Sequence, residues 1–62
     1  MEHSTEAEFQ PGEAVADRET AEQGEVIAVD YDEVLEEYIY LVRFVDGREE
    51  SYGDVALKKA NR

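Results

Sequence analysis

The sequence predicts an all-β domain whose five short strands close into a small, partly open barrel. The chain has only 62 residues, which leaves room for one domain with a small core. Runs of β-branched and aromatic residues alternate with Gly, Pro and Asp turn formers, and no segment predicts a stable helix. Closure into a barrel would protect the strand edges that a small sheet otherwise exposes.

The first eight residues are polar or acidic and, beyond Met1, carry no aliphatic side chain larger than alanine. Such a segment buries too little apolar surface to offset the entropy of ordering. Residues 1–8 are therefore expected to form a disordered tail. The barrel is expected to span residues 9–60, beginning at Phe9, and residues 61–62 are expected to fray.

The first two strands are predicted from two separate apolar runs. Pro11-Gly12 marks a turn, and residues 13–18 centre on Val15 as a short strand. A polar loop closed by a glycine follows. Residues 25–31 read Glu-Val-Ile-Ala-Val-Asp-Tyr, which is rich in β-branched side chains and predicts the second strand.

The third strand has the strongest pattern in the chain, because residues 38–45 read Tyr-Ile-Tyr-Leu-Val-Arg-Phe-Val. The acidic segment before it, residues 32–37, is too short for an isolated helix and is expected to form an exposed hairpin loop. Asp46-Gly47 predicts a two-residue hairpin turn in which both central residues have positive φ. Residues 48–52 then return as an antiparallel strand.

The C-terminal segment predicts one more turn and a closing strand. Gly53 and Asp54 are turn formers, and Val55-Ala56 is expected to form a single 3₁₀ turn. Residues 57–60 then form the fifth strand, which would complete the barrel.

The core is predicted from the alternation along the third strand, where both sets of side chains are apolar. A domain of this size has room for only one set inside. We expect Tyr40, Val42 and Phe44 to face the core. Ile39 and Leu41 then form a candidate interface outside, and a reversed or bulged arrangement is the alternative. The other side chains expected in the core are Val15, Val26, Val29, Val55 and Leu57.

The chain carries 17 acidic against 6 basic side chains, for a net charge of −11. This charge opposes binding to nucleic acid or to an anionic membrane surface, and no apolar stretch is long enough to cross a bilayer. The acidity indicates a solvated surface, a host with high internal salt or, third, attraction of a basic partner. No signal-peptide pattern is present, so we expect a cytoplasmic protein.

The sequence pattern contains no catalytic or metal-binding constellation. There is no cysteine, and the single histidine, His3, lies in the expected tail, so neither a thiol nucleophile nor a Ser-His-Asp arrangement is predicted. The acidic segment 30–37 lacks the third acidic ligand and the glycine of a calcium-binding loop. We therefore expect no enzyme activity, no resident cofactor and no dedicated metal site.

Two segments resemble a known fold. Residues 24–29 are Gly-Glu-Val-Ile-Ala-Val, and residues 40–47 are Tyr-Leu-Val-Arg-Phe-Val-Asp-Gly. Together with Leu57, they resemble SH3-like barrels of the Tudor and KOW type over residues 9–60. This superfold hosts many unrelated functions, and the resemblance implies an interaction module or a small accessory subunit.

Each half of the resemblance implies its own ligand. The KOW-like half implies a nucleic-acid-associated protein, which at this charge would work in high salt. The Tudor-like half implies a reader of a methylated basic ligand, held in an aromatic cage by cation–π attraction. The matching cage positions are Tyr40 or Tyr38, Phe44 and Tyr52, with Asp46 or Asp54 as a carboxylate at the rim.

The residues favour a non-catalytic module that binds another protein. Its interaction surface would be an exposed strip of apolar and aromatic side chains between acidic loops. A monomer is expected, or a weak homodimer that pairs through Ile39 and Leu41. The residues of the expected strip are Tyr31, Tyr38, Ile39, Leu41 and Tyr52.

Overall fold

The structure, a computed structural model, describes residues 7–60. It contains five antiparallel strands and one short 3₁₀ turn, which confirms the predicted all-β class and all five predicted strands. Each predicted strand boundary lies within two residues of the observed one. In chain order the elements are β1 (Ala14–Asp17), β2 (Gln23–Asp32), β3 (Glu37–Phe44), β4 (Glu49–Gly53), the 3₁₀ turn (Asp54–Ala56) and β5 (Leu57–Lys59).

The five strands form a single sheet in the order β4-β3-β2-β1-β5. β2 and β3 form a long antiparallel hairpin, β4 continues it on one side, and β1 joins β2 to β5 on the other. β4 and β5 occupy the two edges of the sheet, and the 3₁₀ turn connects them. An open sheet with this strand order is compatible with the expected SH3-like barrel.

The predicted disordered tail, residues 1–8, lies mostly outside the described residues, as do residues 61–62. Its last two residues belong to the described fold. Ala7 packs against the core, and the backbone N–H of Glu8 donates to the Tyr40 hydroxyl at 2.8 Å. These two contacts order the chain at positions 7 and 8. The composition of the segment did not predict them, because the acceptor of the Glu8 N–H is a tyrosine in β3.

The core forms on the face of β3 that was expected to lie inside. Tyr40, Val42 and Phe44 are buried, which confirms their assignment and excludes the reversed arrangement. Phe9 packs edge-on against Tyr40, with the ring centroids 5.3 Å apart, so the segment before β1 covers the core. Val29 is partly buried against the same cluster. The other buried members of the cluster are Val15, Val26 and Leu57.

The prediction that Val55 belongs to the core is wrong, since this residue is 79% exposed. Val55 is the middle residue of the 3₁₀ turn, where successive side chains point about 120° apart. Leu57 is buried at the start of β5. The single turn therefore directs Val55 to solvent while it brings Leu57 into the core.

A β-bulge in β2 sets which side chains face the core. Val26 pairs with Val42 and Val29 pairs with Tyr40, although strict alternation would put two residues that are three apart on opposite faces. The register shifts between Val26 and Ala28, so β2 carries one extra residue at this point. The extra residue returns Val29 to the same face of the sheet as Val26. Both valines thus face the core, and Ala28 faces outward.

The hairpin between β3 and β4 differs from the predicted two-residue turn. Gly47 has a φ of 90°, whereas Asp46 is not among the residues with positive φ. The Gly47 N–H donates to the Phe44 carbonyl at 2.9 Å, and the Phe44 N–H donates to the Arg48 carbonyl at 2.8 Å. The loop therefore has three residues, Val45, Asp46 and Gly47, because only the glycine takes the left-handed conformation without strain.

Candidate interaction surfaces

The five residues of the expected strip lie on two opposite faces of the sheet. Ile39 and Leu41 project from the outer face, because they alternate along β3 with side chains that face the core. Tyr31, Tyr38 and Tyr52 belong to the core-facing side. The structure therefore does not bring these residues together into one continuous surface. Neighbouring residues of a strand point to opposite faces of the sheet, so the adjacent positions 38 and 39 already predict this separation.

The outer-face residues Ile39 and Leu41 line a shallow groove of about 250 Å³ that crosses β2, β3 and β4. Leu41 lies between Ala28 on one neighbouring strand and Ser51 on the other. These small partners leave space beside the leucine, and both aliphatic side chains are half-buried. Asp30, which pairs with Ile39, contributes the only charge among the lining residues.

Carboxylates occupy both ends of this outer face. At one end Glu25 lies opposite Arg43, whose guanidinium forms an ion pair with Glu49 at 2.9 Å. At the other end Asp32 and Glu37 form the last pair of the β2–β3 hairpin. An apolar centre between two acidic ends is the surface that a basic segment with apolar side chains would complement.

On the core-facing side, Tyr52 connects β4 to the end of β1. Its hydroxyl donates to Asp17 Oδ2 at 2.9 Å, and its ring packs edge-on against Phe44 with centroids 6.1 Å apart. Burial, together with the hydrogen bond to Asp17, raises the pKa of Tyr52 to about 12. The pKa of Asp17 is lowered, first by the backbone N–H of Glu19 and then by the Tyr52 hydroxyl. This bond holds the aromatic side chain in place.

The expected cage residues Tyr40, Phe44 and Asp46 do not share one of the described surface depressions, although Phe44 lines one beside Gly24 and Val45. Tyr40 and Phe44 are buried, and the guanidinium carbon of Arg48 lies 4.8 Å from the Phe44 ring centroid. Arg48 Nε contacts Asp46 Oδ2 at 3.2 Å, and this carboxylate raises the pKa of the guanidinium. Arg48 also forms ion pairs with further carboxylates. These further partners are Glu22 and Glu50.

The tip of the β2–β3 hairpin, residues 33–36, is an exposed loop, as expected. Its two aliphatic side chains point to solvent, with Val34 90% and Leu35 60% exposed. Below the tip, Tyr31 and Tyr38 pack edge-on with ring centroids 5.0 Å apart. The sequence indicated the acidity of this segment, but an acidic solvated loop does not explain two adjacent exposed aliphatic residues.

Three basic side chains line one depression beside β5, the neighbours Lys58 and Lys59 and the sequence-distant Arg18. Leu57 and Phe9 contribute apolar side chains to the same lining. Arg18 Nε donates to the Leu57 carbonyl at 3.0 Å, and Lys59 lies 3.4 Å from a carboxylate oxygen of Glu13. Two more carboxylates, Glu8 and Asp54, also line the depression. The pairing of β1 with β5 creates this cluster, which was not predicted.

The polar side chains of the described residues form no cluster that could hold a metal ion and leave no buried atom unpaired. Between residues 7 and 60, no group of three or more His, Asp or Glu side chains is placed to hold a metal ion. Every buried side-chain polar atom of the described part has a hydrogen-bond partner. Across that same range, no helix has the length and apolarity needed to cross a membrane. The only histidine, His3, lies outside the described residues.

These features define a small all-β domain of five antiparallel strands with acidic, partly apolar surfaces. No family model, no curated protein and no solved structure matches the chain. Its function is therefore inferred from the geometry and charge of its own surfaces.

Proposed function

We propose that the protein is a non-catalytic interaction module that binds a basic, partly apolar segment of another protein. The observation that carries the proposal is the position of Ile39 and Leu41, which lie in one groove on the sheet face opposite the core. Solvent-facing positions of an antiparallel sheet are usually polar. Two large aliphatic residues at such positions are therefore available for contact with a partner.

Charge and apolar area would act together at this groove. The net charge of −11 attracts basic segments over a distance and raises the rate of encounter. Affinity then comes mainly from apolar burial, since full burial of a leucine or isoleucine contributes about 1.5–3 kcal/mol. Asp30 lies within the groove and offers a carboxylate to a lysine or arginine beside the apolar contact.

A titration with a short peptide of alternating lysine and leucine tests the proposal. Amide chemical shifts should move at groove residues, and binding should weaken as salt is raised. Leu41→Ser should lower the affinity about tenfold, which corresponds to about 1.4 kcal/mol. Val45→Ser is the matched control. Val45 is 96% exposed in the β3–β4 loop, outside the groove, so this variant should leave affinity unchanged.

Two control peptides define the outcome that contradicts the proposal. A peptide of lysine alone tests charge without apolar contact, and one of alternating glutamate and leucine tests apolar contact without charge. Equal binding of all three peptides, or equal binding by Leu41→Ser and the original chain, would rule out the groove as the binding site. Sedimentation of the free protein shows whether Ile39 and Leu41 instead join two copies.

One observation favours a second candidate function, contact with nucleic acid. Arg18, Lys58 and Lys59 line the same depression, and counterion release by clustered cations drives such binding. The carboxylates of Glu8 and Asp54 beside them reduce this attraction. Fluorescence anisotropy of a labelled single-stranded RNA tests it. Binding that strengthens steeply at low salt and is lost in Lys58→Glu would favour this candidate over a protein partner.

A further inference from the structure

We infer that the tip of the β2–β3 hairpin is a second docking element, which inserts into an apolar pocket with a basic rim on a partner protein. Scattered single apolar residues on a surface are ordinary. The tip differs because Val34 and Leu35 are adjacent and both exposed. Tyr31, on the strand leading to the tip, is also 47% exposed.

The tip is held in one shape before any partner arrives. The side chain of Asp32 accepts hydrogen bonds from the backbone N–H groups of Val34, at 2.9 Å, and of Leu35, at 3.1 Å. Glu36 follows with a φ of 57°, a conformation that non-glycine residues rarely adopt. A preformed loop loses little conformational entropy on binding, and this favours affinity.

Charge identifies the chemistry of the partner. Residues 30–37 contain no basic side chain, so the tip is repelled by phosphate backbones and by anionic membranes. Lysine or arginine side chains around an apolar pocket would pair with these carboxylates while Val34 and Leu35 fill the pocket. The acidic residues of the segment are Asp30, Asp32, Glu33, Glu36 and Glu37.

A second copy of this chain is the main competing occupant. Its own depression beside β5 carries Arg18, Lys58 and Lys59 around apolar residues. Glu8 and Asp54 line that depression as well, and two copies of net charge −11 repel each other. These charges therefore favour a different protein as the partner.

Site-specific photo-crosslinking in source cells tests this inference. A benzophenone side chain replaces Leu35 in the full chain, and Val45 carries it in the matched control, because both residues lie in exposed hairpin loops. The expected result is an adduct from position 35 that is missing from position 45. The captured protein is then purified, and its affinity for the original chain is measured at rising salt.

Supporting results require more than the adduct. The double variant Val34→Ser with Leu35→Ser should lower the affinity for the purified partner about tenfold. The separate variant Glu33→Lys should also weaken binding, because it reverses one charge of the tip. Neither variant removes a buried side chain, so the melting temperature should stay unchanged. Binding should also weaken as salt is raised.

Several results would overturn the inference. These are no adduct, equal adducts from both positions, an adduct between two copies, or affinity for the purified partner that the double variant leaves unchanged. The inference extends beyond the groove, and the two proposals fail separately. Leu41→Ser tests the outer-face groove alone, whereas the double variant Val34→Ser with Leu35→Ser tests the tip alone.

Discussion

The Tyr52 hydroxyl donates to the Asp17 carboxylate at 2.9 Å, and this bond joins β4 to β1 across the open side of the sheet. Two strands, β3 and β2, separate β4 from β1 in the sheet order. In a flat sheet such strands would lie about 14 Å apart, because neighbouring strands are about 4.8 Å apart. The hydrogen bond therefore requires the sheet to curl, and it fastens the partly open barrel.

The first prediction concerns stability at high pH. The pKa of Tyr52 is raised to about 12 from an ordinary value of 10.0, so the folded protein favours the protonated phenol. This contribution to stability is complete below pH 10 and is lost as pH rises through about 12. The free energy of unfolding, measured by urea denaturation across this range, should fall more steeply for the original chain than for Tyr52→Phe. Parallel curves would contradict the assigned role of Tyr52.

The second prediction concerns Gly24 in β2. A Cβ at this position would lie 2.7 Å from Val42 Cγ1 and 2.8 Å from the Arg43 carbonyl oxygen. Gly24→Ala should therefore lower the free energy of unfolding by about 1–3 kcal/mol, the usual range for overpacking. Gly53→Ala is the control, since its nearest neighbour, a side-chain oxygen of Glu37, lies 3.4 Å away. Urea denaturation should show less than about 0.5 kcal/mol for the control, and equal losses would count against the contact.

The third prediction concerns the attachment of the N-terminal segment. Tyr40→Phe removes the acceptor of the Glu8 N–H and should lower the free energy of unfolding by about 1 kcal/mol. Hydrogen exchange at the Glu8 amide should become faster. Tyr31→Phe is the control, because Tyr31 is 47% exposed, and it should change stability by less than about 0.5 kcal/mol. Unchanged exchange at Glu8 in Tyr40→Phe would show that the bond does not hold this segment.

The fourth prediction concerns the Tudor-like alternative. Arg48 covers the Phe44 ring, so a methylated lysine should bind the original chain no better than unmodified lysine does. Arg48→Ala removes the guanidinium from the Phe44 ring. Any preference for the methylated ligand should therefore appear only in this variant. Arg43→Ala is the control, because Arg43 is ion-paired with Glu49 and projects from the outer face. A preference already present in the original chain, measured by chemical-shift titration, would revive the cage hypothesis.

Much of the fold follows from neighbouring residues alone. Turn formers and β-branched runs identify the five strands, and alternation along β3 assigns Tyr40, Val42 and Phe44 to the core. These features are local, since strand geometry depends on adjacent side chains and on a period of two. The same alternation places Tyr38 and Ile39 on opposite faces of β3, although both were expected in one strip.

Other features depend on details that a local pattern leaves open. The bulge between Val26 and Ala28 sets the phase of β2. The three-residue loop arises because Asp46 does not take a positive φ. Val55 points to solvent because a single 3₁₀ turn rotates it away from the core. Each outcome follows from a competition between conformations of similar local energy, which packing against the rest of the chain decides.

The sequence by itself determined the fold class, the strand positions, the acidic surface and the exposed acidic hairpin, because these depend on composition and short-range pattern. Only the tertiary structure decided which distant side chains meet. Tyr52 reaches Asp17, 35 positions away, and Arg48 covers Phe44 while it pairs with Glu22. Such contacts exist because the sheet curls and places strands together that are remote in the chain, and no local spacing encodes that curvature.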